Sequence, residues 1–241
     1  MTTTVHVQDV VKHFGKKAVL EHIDLEIEQG EIYGLIGPSG AGKTTLIKMI
    51  VGMDKGETGA VYVLGKKMPN VGILQEIGYM AQSDALYTSL TGEENLLFFA
   101  SLFKLDKALR KERIQYVADL VSLKSDLKKK VSTYSGGMKR RLSLAIALIQ
   151  NPRILILDEP TVGIDPELRK TIWAELIRLK EEEKKTIIIT THVMEEADKC
   201  DRLVMVRGGR IITKGSPAGL KALYRADTLE EVFLQAGGHH Q

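Results

Sequence analysis

At 241 residues, 44% hydrophobic and 27% charged, the chain has the make-up of a soluble globular protein long enough to bury a substantial core. Its 34 basic and 31 acidic residues leave a net charge of only +3, which gives no electrostatic case for a nucleic-acid partner, and none is expected. The single cysteine, Cys200, excludes an internal disulfide and suits a reducing cytosol, and the opening MTTTVHVQDVVKHFG lacks the basic-then-apolar order of a secretory signal.

Three short runs open the chain, and TVHVQDV, IDLEIE and EIYGLIG each predict a strand. KTTLIKMIVG then predicts a helix that begins at Lys43 and stops at Gly52, after which GAVYVLG and IGYMAQ return to strands. Between about residues 84 and 150 the character changes. TGEENLLFFASLFKL, LRKERIQYVADLVSL and SGGMKRRLSLAIALI have helix-compatible apolar spacing and little β-branching. RILILDE resumes the strands, and its four consecutive apolar residues, Ile154 to Leu157, suit a parallel strand buried on both faces.

A helix from near Pro166 to Glu183, the strand TIIITTH, a short helix and RLVMVRGGRIITKG complete the pattern. Strands and helices alternating around a helical insert predict an α/β core with a mostly parallel sheet. LKSDLKKK and LKEEEKK read as solvated faces, and the final GGHHQ as a frayed tail. No run reaches the roughly 18–20 apolar residues that cross a bilayer. LLFFASLF and LSLAIALI suit buried helices, so any work at a membrane would need other chains to span it.

GPSGAGKT, residues 37–44, matches G-x-x-x-x-G-K-[ST] between a predicted strand and a predicted helix. Glycines let the backbone wrap close to phosphate oxygens, and the helix N-terminus adds a positive dipole. Lys43 would reach the β- and γ-phosphates, and the Thr44 hydroxyl would ligate Mg²⁺. LILDEP supplies the second half of a nucleotide site. Asp158 ends a buried strand, where a Walker B carboxylate holds Mg²⁺, and Glu159 follows as a candidate general base for the attacking water. TYSGGMKRR, residues 133–141, looks like a second phosphate cradle: a hydroxyl and two glycines ahead of a basic helical run.

The P-loop, YSGGM, LILDEP, VGIDP and TTH stand in an order and spacing that resemble the nucleotide-binding subunits of ATP-binding cassette (ABC) transporters, over nearly the whole chain. The resemblance implies a P-loop NTPase (RecA-like) α/β fold: a mostly parallel sheet, an N-terminal antiparallel β subdomain and an inserted α-helical subdomain. It also implies a single ATPase domain over residues 1–241, with a catalytic core at about 1–83 and 151–241 and the helical subdomain at about 84–150.

Residue by residue, the resemblance assigns nucleotide contacts to Gly37, Pro38, Ser39, Gly40, Ala41, Gly42, Lys43, Thr44 and Thr45. Phe14 matches the aromatic that stacks on adenine, with core packing as its alternative reading. Gln82 matches the Q-loop glutamine and joins Thr44 and Asp158 as a metal contact, while His192 matches the H-loop histidine that orients water or Glu159. TYSGGMKRR resembles the family signature, L-S-G-G-Q in many relatives, with Tyr134 and Met138 as departures. Ser135, Gly136 and Gly137 would then close on the γ-phosphate held by a partner copy.

Asp165 matches the D-loop residue that meets the other cassette of a pair and, ahead of Pro166, also makes a good helix N-cap. Arg140 and Arg141 are expected to face solvent or another part of their helix.

The function so implied is an ATP hydrolase using ATP and Mg²⁺, acting as a head-to-tail pair, either a homodimer or a pair with a related ATPase, and driving a separate multi-spanning permease. YSGGMKRRLSLAIALI, LDEPTVGIDP and TLEEVFL resemble the ABC-2 type of exporter ATPases, which places the chain in the cytoplasm, peripheral on the inner membrane face. The alternative is a soluble single-cassette ATPase in an assembly complex, such as iron–sulfur cluster assembly.

Overall fold

Val5, Val7 and Val10 share one buried face, and they fix the first of two antiparallel strands, β1 (Thr3–Phe14) and β2 (Lys17–Glu28). The computed structural model describes residues 2–82 and 85–238. These form two compact units, one running to Leu74 and resuming at Thr186, the other Gln75–Lys185.

In the first unit the chain passes from β2 into β3 (Ile32–Ile36), whose five residues are all buried, and on to helix α1 (Lys43–Ile50). β4 (Thr58–Val63) and the two-residue β5 (Lys66–Lys67) complete an antiparallel sheet of order β2-β1-β4-β5.

The second unit begins with β6 (Ile77–Met80) and continues with helices α2 (Gly92–Leu102), α3 (Lys107–Leu120) and α4 (Gly136–Leu148). Their starts are written in the sequence. Thr91 and Glu94 form a reciprocal capping box on α2, Asp106 caps α3 and Ser135 caps α4. β7 (Ile154–Asp158) pairs in parallel with β6, matching Met80 to Leu157, and is fully buried. α4 packs so closely on β6 that a Cβ at Gly78 would collide with the Ala147 carbonyl. α5 (Pro166–Glu183), capped by Asp165, closes the unit. It is tied to α3 by the Tyr116 phenol, which donates to Glu175, while Arg178 grips the same carboxylate at 2.6 Å. Burial, helped by Glu175, pushes the Tyr116 phenol up to about 12.

The chain then returns to the first unit through β8 (Thr186–Thr191), α6 (Met194–Ala197), β9 (Arg202–Arg207) and β10 (Arg210–Gly215). β3 lies parallel to both β8 and β9, and β10 returns antiparallel to β9. The C-terminal helices α7 (Pro217–Tyr224) and α8 (Leu229–Gly238) follow. α8 corrects one expectation, because Gly237 and Gly238 belong to it and not to a frayed tail. Leu229, Val232 and Ala236 form its buried stripe, and Gly237 lies against the Arg207 guanidinium without room for a Cβ. The rest of that expected tail, residues 239–241, lies outside the described residues. No helix among the described residues is long and apolar enough to cross a membrane.

Candidate functional site

The phosphate loop is built by close approach. β3 delivers Gly37 beneath the main-chain carbonyl of Val206, where a Cβ would collide, and Gly42 fits under the Val19 carbonyl. Gly42 also takes φ 104°, a left-handed value that favours glycine, as it opens α1. The Lys43 ammonium bends back to donate to the carbonyls of Gly37 at 2.6 Å and Pro38 at 3.0 Å. Pro38, Ser39 and Gly40 are exposed, Ala41 is buried, and Thr44 and Thr45 are half-buried in the first turn of the helix.

Parallel register brings His192 to the same strand ends. Ile36 pairs with Thr191, so Gly37 and His192 leave β3 and β8 together. The Thr191 hydroxyl accepts from the Val193 N–H at 3.0 Å and donates to the Glu196 carboxylate at 2.8 Å, which fixes the turn carrying the exposed imidazole. Phe14, at the end of β1, is 56% exposed, which excludes the core reading of this ring. The Lys12 ammonium sits 5.3 Å from its centroid and is itself held by Asp54 at 2.7 Å. That hydrogen bond holds the Asp54 carboxyl below its ordinary value.

In the second unit, β6 and β7 end side by side, so Gln82 and Asp158 also leave neighbouring strands at one end. Asp158 is buried, and Glu159 turns the chain sharply with φ 53°. Burial, with the Asp158 charge adding to it, raises the pKa of the Tyr79 phenol on β6.

One side chain gathers this whole edge. Arg140 Nη1 donates to the carbonyls of Ala81 at 2.9 Å and Gln82 at 3.1 Å, while Nη2 donates to those of Asp158 and, at 2.7 Å, Glu159. Arg140 is buried, contrary to the expectation that it faces solvent or its own helix. Arg141 instead donates to the carbonyls of Val121 and Ser122. The sequence did hold a signal for Arg140: it falls four and eight residues before Leu144 and Leu148, on the buried stripe of α4.

The signature segment is anchored at both of its departures. Tyr134 is buried and donates to the Asp126 carbonyl at 2.8 Å, with its hydroxyl pressed against the backbone of Gly92. The Met138 N–H donates to Ser135 Oγ at 3.2 Å, so the cap uses the main chain of residue 138 and not its side chain. Ser135 and Gly136 are exposed. Gly137 abuts the Gly163 carbonyl, in the turn that Asp165 caps into α5, so the signature and D-loop candidates are neighbours.

The ABC transporter family pattern matches residues 20–162, more than half of the chain. This chain belongs to the ABC transporter family. It is 42% identical over 221 residues to Nod factor export ATP-binding protein I of Rhizobium etli, covering 90% of this chain and 70% of that protein. To the probable multidrug ABC transporter ATP-binding protein YbhF of Escherichia coli it is 38% identical over 240 residues, 97% of this chain but only 41% of the relative's length. A solved dimer, the post-hydrolysis state of the ATP-binding cassette MJ0796 bound to ADP and Pi, superposes with a TM-score of 0.81. It is 28% identical and covers 88% of this chain and 98% of that one. The fold is that of the P-loop NTPase cassettes, and as an ABC family member the chain binds and hydrolyses ATP.

Proposed function

We propose that this ABC protein powers a membrane exporter of the ABC-2 type from the cytoplasmic face, pairing head to tail with a second copy and driving a separate multi-spanning permease. The observation that carries this reading is similarity over nine-tenths of the chain to an ATPase named for export. The multidrug description of YbhF points the same way, while leaving the cargo to the permease. Both names favour export over the alternative of a soluble assembly ATPase.

The chain's own residues carry the chemistry. Phe14 stacks on adenine, and residues 37–45 wrap the phosphates, with the Lys43 ammonium moving from its carbonyl partners to the β- and γ-phosphates. The Thr44 hydroxyl, the Asp158 carboxylate and the Gln82 amide are the groups that would hold Mg²⁺, and as all-oxygen donors they suit it in type. When bound, the metal would neutralise developing phosphate charge. Glu159 takes the proton of the attacking water, and His192 holds that water and the γ-phosphate in line. Ser135 and the N–H groups of Gly136 and Gly137 close on the γ-phosphate held by the partner, with Asp165 across the same junction. The catalytic core and the helical subdomain then act as one ATPase domain per chain.

The export reading is tested by purifying the full-length chain from its native membrane under mild detergent. Recovery with a multi-spanning membrane protein, together with ATP turnover stimulated in that complex, is the expected result. Recovery only with soluble scaffold proteins would overturn export in favour of assembly.

A further inference from the structure

Arg140 makes an unusual set of contacts for a buried cation. Its two terminal nitrogens divide their hydrogen bonds between two strand ends, Nη1 serving Ala81 and Gln82 after β6, and Nη2 serving Asp158 and Glu159 at the end of β7. In an extended strand successive carbonyls point to opposite sides. Here two successive carbonyls at each end turn toward one guanidinium. At Glu159 the left-handed φ of 53° makes this possible. Four carbonyl dipoles that converge on one point would repel one another without a cation between them. Only a planar fork with several donors spans both pairs, and a lysine ammonium does not.

The carboxylate of Glu159 leaves the same α-carbon whose carbonyl Arg140 holds. Holding the carbonyls on both sides of that α-carbon, those of Asp158 and Glu159, restrains its backbone torsions and so the direction in which its Cα–Cβ bond sets out. Arg140 also sits on α4, five residues beyond Ser135, so the helix that presents the signature is bolted directly to the base.

We propose that Arg140 is a positioning residue for hydrolysis: it locks Glu159 and Gln82 into their working backbone geometry and mechanically joins them to the signature helix. This rests on the reading of Glu159 as general base. A displaced base slows the chemical step while leaving the nucleotide's own binding groups, Lys43 and its loop, in place.

The test uses the full chain with Arg140→Lys and Arg140→Met, each checked for folding by thermal melt, and measures steady-state kcat beside ATP affinity by titration. Where the variants fold, kcat is expected to fall between about tenfold and about a hundredfold, with ATP affinity within about twofold of wild type. Guanidinium ion at millimolar concentration is expected to restore part of kcat in Arg140→Met, and Arg140→Lys is expected to add little to the loss in Glu159→Gln.

A folded variant with wild-type kcat would overturn the proposal. So would kcat and affinity falling together without rescue, or failure of both variants to fold, since each marks a purely structural role. If Glu159→Gln itself turns over at the wild-type rate, the base assignment fails. If Glu159→Gln is inactive while Arg140→Lys is normal, only the role of Arg140 fails.

Discussion

Gly37 lies hard against the main-chain carbonyl oxygen of Val206 on the neighbouring strand β9, with no room for a Cβ. The contact fixes where the phosphate loop leaves β3. Gly37→Ala must push the loop away from β9, at a cost of about 1–3 kcal/mol in stability. ATP affinity is expected to fall by at least about tenfold, as the loop's amides lose their geometry. Denaturant melts and nucleotide titration on the same variant check both, and an alanine tolerated in both would contradict the packing described.

Tyr134 replaces the leucine found in many signature sequences, and its hydroxyl donates to the Asp126 carbonyl at 2.8 Å. Tyr134→Phe leaves that carbonyl with the Lys129 N–H, at 2.9 Å, and is expected to cost about 0.5–1.5 kcal/mol for the lost hydrogen bond. The melting temperature should drop by about 2–4 °C per kcal/mol for a chain of this size. ATP titration should be unchanged, because Tyr134 is not among the nucleotide contacts proposed for its own chain.

Ser135 and Met138 are coupled through the main chain at 3.2 Å, which leaves the Met138 side chain outside the cap. Met138→Gln is therefore expected to change ATP-driven dimerisation by less than about threefold. Ser135→Ala removes both the cap, worth about 1 kcal/mol, and the hydroxyl proposed to meet the partner's phosphate. Light scattering with ATP should show weakened pairing for Ser135→Ala only. Pairing that fails in Met138→Gln would mean that the side chain, and not the backbone, matters there.

Cys200 is buried in the first unit, and that burial, with Asp201 and Glu196 nearby, pushes its thiol up to about 12. The unfolded thiol ionises near its ordinary value of 9.0, well before the folded one. Protons thus leave the unfolded chain first, and the Cys200 contribution is full below pH 9 and declines between pH 9 and about 12. Urea midpoints measured on either side of pH 9 should fall less steeply with pH in Cys200→Ala than in wild type. Alkylation of the native thiol at neutral pH should be far slower than in urea.

Much of this fold was legible because local chemistry agreed with tertiary need. RILILDE reads as a buried parallel strand and is one, and Asp165 with Pro166 announces the start of α5, which forms at that point. TGEENLLFFASLFKL reads as helical from its apolar spacing, and α2 forms within it, capped by Thr91 and Glu94. The C-terminal helices were less visible: α7 and α8 follow a strand pair, and the two glycines at the end of α8 mimic a tail.

The loop before α1 was legible in the same way, since its spacing puts glycine where the backbone is tightest, at Gly37 and Gly42, and Lys43 at the start of the helix. What the sequence hid were contacts with partners distant in the chain. Arg140 reads as one more exposed cation in KRR until the ends of β6 and β7 converge on it from 58 and 18 residues away. Phe14 shows the same limit, because only the folded sheet reveals that the ring stays exposed.

The central claim is that Glu159 is the base of an ATPase that works as a pair. Steady-state hydrolysis by Glu159→Gln, measured with ATP-dependent dimerisation of the same sample, tests it most directly. The account predicts turnover reduced by at least about a hundredfold, with ATP still bound and the dimer trapped. Turnover near that of wild type would contradict it.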